Sequence, residues 1–127
     1  MAIQEVQTPN APAAIGPYSQ ALIHNGLVYC SGQIPLDPHT GDLVNTDVEA
    51  ETHQVMKNLR AVLQAAGSDL NAILKTTIYL QNLENFAKVN EVYASYLSKP
   101  YPARATIQVA KLPRGANVEI DAIAYQL

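Results

Sequence analysis

Apolar and polar residues alternate with a period of two along several stretches of this chain, and with a helical period along two others. Ile3 to Gln7 reads as a short first strand, and Asn10 to Pro17, with two prolines and a glycine, as a loop that delivers Tyr18. Tyr18 to His24 and Leu27 to Ser31 are alternating runs that flank Asn25-Gly26. Asn-Gly in that setting predicts a two-residue hairpin, because a type I′ turn needs positive φ at both central positions. The second run ends at Gly32, where two readings stand: a bulge glycine, or a point where a ligand can approach the backbone. Pro35 to Thr46 is a loop. Thr46-Asp47-Val48-Glu49 fits a capping box with Thr46 as the cap. The helix it opens carries Val55, Met56, Leu59, Val62, Leu63 and Ala66 on one stripe and ends at Gly67. Ile73 to Leu80 is a strand, and Asn82 caps a second helix with Phe86, Val89, Tyr93, Tyr96 and Leu97 as its stripe. Asn90 falls on or beside that stripe, where an amide needs hydrogen-bond partners if buried.

The last stretch, Pro102 to Tyr125, reads as two strands joined by the turn residues Lys111 to Ala116. Paired as a hairpin, they place Arg104, Thr106, Gln108, Glu119 and Asp121 on one face. Ala105, Ile107 and Val109 then share the other face with Val118, Ile120, Ala122 and Ala124, against the helices. Val109 pairs near Val118 in this register and Arg104 lies opposite Ile123. Glu119 is then roughly 13 Å from Arg104, at about 3.3 Å per residue. That gap is wide for one small molecule, so the register predicts that Arg104 of one subunit works with Glu119 of a neighbour.

With 127 residues, 48% of them hydrophobic, the chain suits a single domain (1–127) with a real core. A net charge of −3 and the lack of a basic run argue against nucleic acid as a partner. No apolar run approaches membrane-span length, the N-terminus has no secretory pattern, and one cysteine forms no internal disulfide. These features predict a soluble cytoplasmic protein.

No spacing of His24, His39, His53 and Cys30 fits a metal site, and no phosphate-binding glycine loop occurs. Cofactor-free chemistry remains. Arg104 is suited to hold a carboxylate, because a guanidinium donates two parallel charged hydrogen bonds. Glu119 can act as a base at neutral pH, and as an acid only if burial raises its pKa. Tyr18 offers a neutral hydroxyl.

Five blocks add to this reading: NAPAAIGPYSQ at 10–20, CSGQIP at 30–35, KTTIYL at 75–80, FAKVNEVY at 86–93, and PAR with VEIDAIA at 102–104 and 118–124. In order and spacing they resemble the RidA (YjgF) family of enamine and imine deaminases, over nearly the whole chain. The resemblance implies an α+β, chorismate-mutase-like fold: a mostly antiparallel sheet of about six strands, two helices on one face, and a homotrimer with intersubunit clefts. It also implies hydrolysis of 2-aminoacrylate and 2-iminobutanoate to 2-oxo acids and ammonia, without a cofactor or metal. Arg104 would clamp the substrate carboxylate, with Gly32, Ser31, Thr106 and Asn90 completing the binding site. Glu119 and Tyr18 would position the attacking water. Many relatives carry cysteine where this chain has Thr106, which is acceptable if only the backbone amide is used there. The alternative reading is a non-catalytic trimer that binds or signals carboxylate metabolites. Ribonuclease activity, described for some relatives, suits this acidic chain poorly.

Overall fold

The computed structural model describes residues 2–127. Its strands and helices are β1 (Gln4–Val6), β2 (Ala21–His24), β3 (Leu27–Gln33), α1 (Val48–Ala65), β4 (Ile73–Leu80), α2 (Phe86–Ser95), β5 (Ala103–Gln108) and β6 (Val118–Tyr125). All the strands join one six-stranded sheet in the order β1-β2-β3-β6-β4-β5. Every pairing is antiparallel except β4 with β5. The architecture is α+β.

The β2–β3 turn is the one its Asn-Gly implies, with φ of 52° at Asn25 and 79° at Gly26. β2 begins at Ala21, later than the alternation indicates. Buried Gln20 is taken up in tying down the preceding loop: its amide donates to the carbonyls of Thr8, Ala11 and Pro12 and accepts from the Thr8 N–H. α1 starts one residue later than the capping box implies. Asp47 is its N-cap and accepts from the Ala50 N–H at 2.7 Å. Asn82 caps a short 3₁₀ turn, accepting from the Glu84 N–H, and α2 follows directly.

The core lies between the helices and one sheet face. Val55, Met56, Leu59, Val62 and Leu63 of α1 and Val89 of α2 are fully buried there with Ile78, Leu80, Val118, Ile120 and Ala124. Among the described residues no helix covers the other face. Exposed on it are Leu22, Tyr29 and Ile107, beside the polar positions Thr77, Tyr79, Glu119 and Asp121. Among the described residues no helix is long and apolar enough to cross a membrane.

The hairpin expected over 102–125 does not form. β6 is inserted between β3 and β4, and β5 lies beyond β4, parallel to it, after α2 has carried the chain across. A parallel pair needs such a crossover, and β4–α2–β5 supplies it. Arg104 is therefore level with Thr76, not opposite Ile123, which pairs with Lys75. The faces change as well. β6 is inward at Val118, Ile120, Ala122 and Ala124 as expected, but on β5 it is Arg104, Thr106 and Gln108 that lie on the helix side. Edge strand β5 runs under the rim of α2, not under the core, so polar side chains fit there while Ala105 and Ile107 face out.

Candidate active site

The expected residues fall into two groups on opposite faces of the sheet. The first is built by α2 and β5. Phe86, Asn90 and Tyr93 sit at helical spacing on one side of α2, and Arg104 reaches up to them from the edge strand. The Asn90 side-chain oxygen accepts a hydrogen bond from Arg104 Nη1 at 2.6 Å. The guanidinium carbon lies 5.4 Å from the Phe86 ring centre and 5.2 Å from that of Tyr93, a cation–π arrangement on two rings. Arg104, Asn90, Tyr93, Tyr101 and Pro102 line a cavity of about 460 Å³. An arginine has five N–H donors. With Asn90 accepting from one nitrogen, a fork remains for a carboxylate. Thr106 lies two residues along the same face, and its Oγ1 is buried with no hydrogen-bond partner among the described residues.

The second group forms where β3 breaks step with β6. The register shifts by one residue between Cys30 and Gln33, which places Ser31 and Gly32 in a bulge beside Glu119. Ser31 is engaged within the chain: its N–H donates to the Gln20 carbonyl and its hydroxyl to the Ser19 carbonyl at 2.6 Å. A side chain at Gly32 would displace Glu119. A Cβ there would run into the Glu119 carboxylate, with its Cδ at 2.9 Å. Of the two readings of this glycine the bulge is the one the register shows, and the group that approaches it closely is the Glu119 side chain. Tyr18, Ser31, Gly32 and Glu119 line a second cavity, of about 510 Å³, with Ile15, Ile34, Leu36 and Pro113 as apolar walls.

Burial raises the Glu119 pKa, and the charge of Asp121 adds to the effect. Tyr79 pairs with Glu119 across β4 and β6 and donates its hydroxyl to Asp121 at 3.0 Å. Burial, then the hydrogen bond to Asp121, raise the pKa of Tyr79. Cys30 is pushed up to about 12, first by burial, so its thiol is not a nucleophile at neutral pH.

Arg104 and Glu119 do not meet within one chain. Arg104 is level with Thr76 and Thr76 with Ala122, so Glu119 lies two strands over and three positions along. The Cα separation is roughly 14 Å by ordinary strand spacing, and the side chains leave opposite faces. Sequence reasoning missed the aromatic bracket, having placed Phe86 and Tyr93 in a plain core stripe. It also missed Tyr101, although Tyr101-Pro102 immediately precedes the arginine strand. Asp121 shares the Glu119 face as expected, but Tyr79 went unassigned as their neighbour; its outward position on β4 was the available signal.

The profile described as Endoribonuclease L-PSP matches residues 8–126. The mouse protein named 2-iminobutanoate/2-iminopropanoate deaminase is 51% identical over 121 residues, 95% of this chain and 90% of that one. Among solved structures, RidA from an Antarctic Psychrobacter superposes with a TM-score of 0.93 at 48% identity, covering 96% of this chain and 98% of that one. Escherichia coli TdcF with bound serine superposes with a TM-score of 0.92 at 37% identity, over 98% and 99% of the two chains. The order of blocks, the sheet topology and these likenesses agree: the chain belongs to the RidA (YjgF) family.

Proposed function

We propose that this protein is a homotrimeric hydrolase of 2-imino acids, releasing 2-oxo acids and ammonia, with each active site shared by two subunits. The observation that carries this reading is the division of the site residues. A guanidinium poised for a carboxylate lies in one cavity, while Glu119, Tyr18 and the Gly32 bulge lie in another on the opposite face. Neither half is complete for imine hydrolysis. The exposed Leu22, Tyr29 and Ile107 of the uncovered sheet face give a neighbouring copy a surface to bury, and a closed ring of three would bring the half of one subunit to the other half of the next. The names of the mouse relative and of the serine-bound E. coli relative are consistent with an α-amino or α-imino acid ligand.

In this arrangement the Arg104 fork holds the carboxylate and leaves C2 of the imine beside Glu119. Glu119, ionised, orients a water and takes its proton as oxygen adds to C2 of the protonated imine, giving a neutral carbinolamine. The proton returns to nitrogen, the C–N bond breaks, ammonia leaves, and loss of the hydroxyl proton gives the 2-oxo acid. Enamines such as 2-aminoacrylate enter as their imine tautomers. Holding a reactive substrate and one water in line supplies much of the catalysis.

The direct test is to generate 2-iminobutanoate with a pyridoxal-phosphate dehydratase and follow imine loss and ammonia release with and without the protein. Faster loss with the protein supports the proposal. Carboxylate binding without acceleration favours the non-catalytic alternative. Sedimentation at micromolar concentration is expected to give three chains per particle, and a monomer would contradict the shared site.

A further inference from the structure

Tyr93 and Thr76 form a buried polar contact whose geometry points towards Arg104. Thr76 is 1% exposed and Tyr93 is 4% exposed. Their hydroxyl oxygens are 2.7 Å apart, in hydrogen-bonding contact. Thr76 is also the residue level with Arg104 across β4 and β5. The Tyr93 ring, tethered to β4 at its hydroxyl end, therefore lies beneath the guanidinium that its centre faces at 5.2 Å. Phe86 packs the guanidinium from about two turns earlier along α2, and Asn90 fixes Nη1.

The core itself has little need of this pair. Thr76 stands on a strand whose other inward residues are Ile73, Ile78 and Leu80, and Val would fill its place. Replacing both partners of a buried hydrogen bond by apolar groups of the same shape is nearly neutral for stability. What the hydroxyl pair adds is direction. A phenol tethered at its far end cannot swing about its side-chain torsions, and the cation above it keeps one plane.

We infer that Tyr93 is a positioning residue for Arg104, held in place by its hydrogen bond to Thr76. The inference rests on the reading of Arg104 as the carboxylate clamp. Because the clamp holds substrate and transition state alike, loosening it weakens binding more than it slows turnover.

The test compares wild type with Tyr93→Phe, Thr76→Val, Thr76→Ser and the double variant Thr76→Val/Tyr93→Phe. For each, kcat and KM for 2-iminobutanoate, calorimetric Kd for 2-oxobutanoate and Tm are measured. The double variant is expected to keep its Tm and its kcat within about twofold, while KM and Kd rise about five- to tenfold, the size of one lost orienting hydrogen bond. Thr76→Ser, which retains the hydroxyl, is expected to stay near wild type. Unchanged KM and Kd in both Tyr93→Phe and the double variant would overturn the inference. So would a fall in kcat and Tm with KM and Kd unmoved, the pattern of a purely structural pair. Wild type that binds 2-oxobutanoate without imine turnover defeats the deaminase reading alone, and Kd still decides the role of Tyr93. Wild type that does neither overturns both.

Discussion

Arg104→Lys is expected to lower kcat/KM for 2-iminobutanoate by about 100-fold although the charge is kept, since charge-assisted bonds are worth about 1.5–3 kcal/mol each. The structure gives the reason. The guanidinium carbon lies within 5.4 Å of the Phe86 and Tyr93 ring centres and the group gives one nitrogen to Asn90, which leaves a planar pair of donors. An ammonium is a point charge with no such plane. Bonded to Asn90, it has no second parallel donor for the carboxylate. Steady-state kinetics on the purified variant, with Tm measured to confirm folding, is the check. A lysine variant close to wild type would remove Arg104 from the carboxylate site.

Glu119→Gln is expected to lower kcat by about 100-fold or more, the usual scale of a lost general base, while 2-oxobutanoate still binds. Wild-type activity should also fall on the acid side at a pH above the ordinary glutamate pKa of about 4.3, because burial and then Asp121 hold the Glu119 carboxyl up. The sign for stability follows. A raised folded-state pKa stabilises the fold below the unfolded pKa, and that contribution is lost as pH rises through the folded value. Near pH 7 the ionised Glu119 is therefore a burden on the fold, and the glutamine variant should melt no lower than wild type. At pH 4 any advantage should vanish. Unchanged kcat would reduce Glu119 to a structural role.

The helices and the central strands were legible because burial imposes their pattern. The α1 stripe and β4 were read correctly, and so was the inward set of β6, since one face of each meets the core. The Arg104 strand was not. Residues 102–108 and 118–125 both alternate and are separated by Pro and Gly, so local pattern alone favours a hairpin. Strand order is a non-local choice. The β4–α2–β5 crossover decided it, and the strand–helix–strand pattern around α2 was the clue that went unused. β5 also carries a weak face signal because, at the sheet edge, neither of its faces is deeply buried. The expectation of a shared site rested on the wrong register. The observed topology gives it a different ground, since Arg104 and Glu119 leave opposite faces. Single residues such as Gly32 and Arg104 were singled out by the motifs around them. The Phe86–Tyr93 bracket was not, because an aromatic on an apolar stripe looks the same whether it packs on leucine or on a guanidinium.

The measurement closest to the central claim is complementation between two inactive chains. Arg104→Ala and Glu119→Ala are co-expressed with different tags, and mixed trimers are purified on both tags and confirmed by native mass. If each cleft draws Arg104 from one subunit and Glu119 from the next, every mixed closed ring of three, in either ratio, has one cleft with both groups intact, roughly a third of the total. Imine hydrolysis should return to about that fraction of the wild-type rate, while either variant alone stays inactive. Mixed trimers of confirmed composition with no activity above the single variants would contradict the shared site.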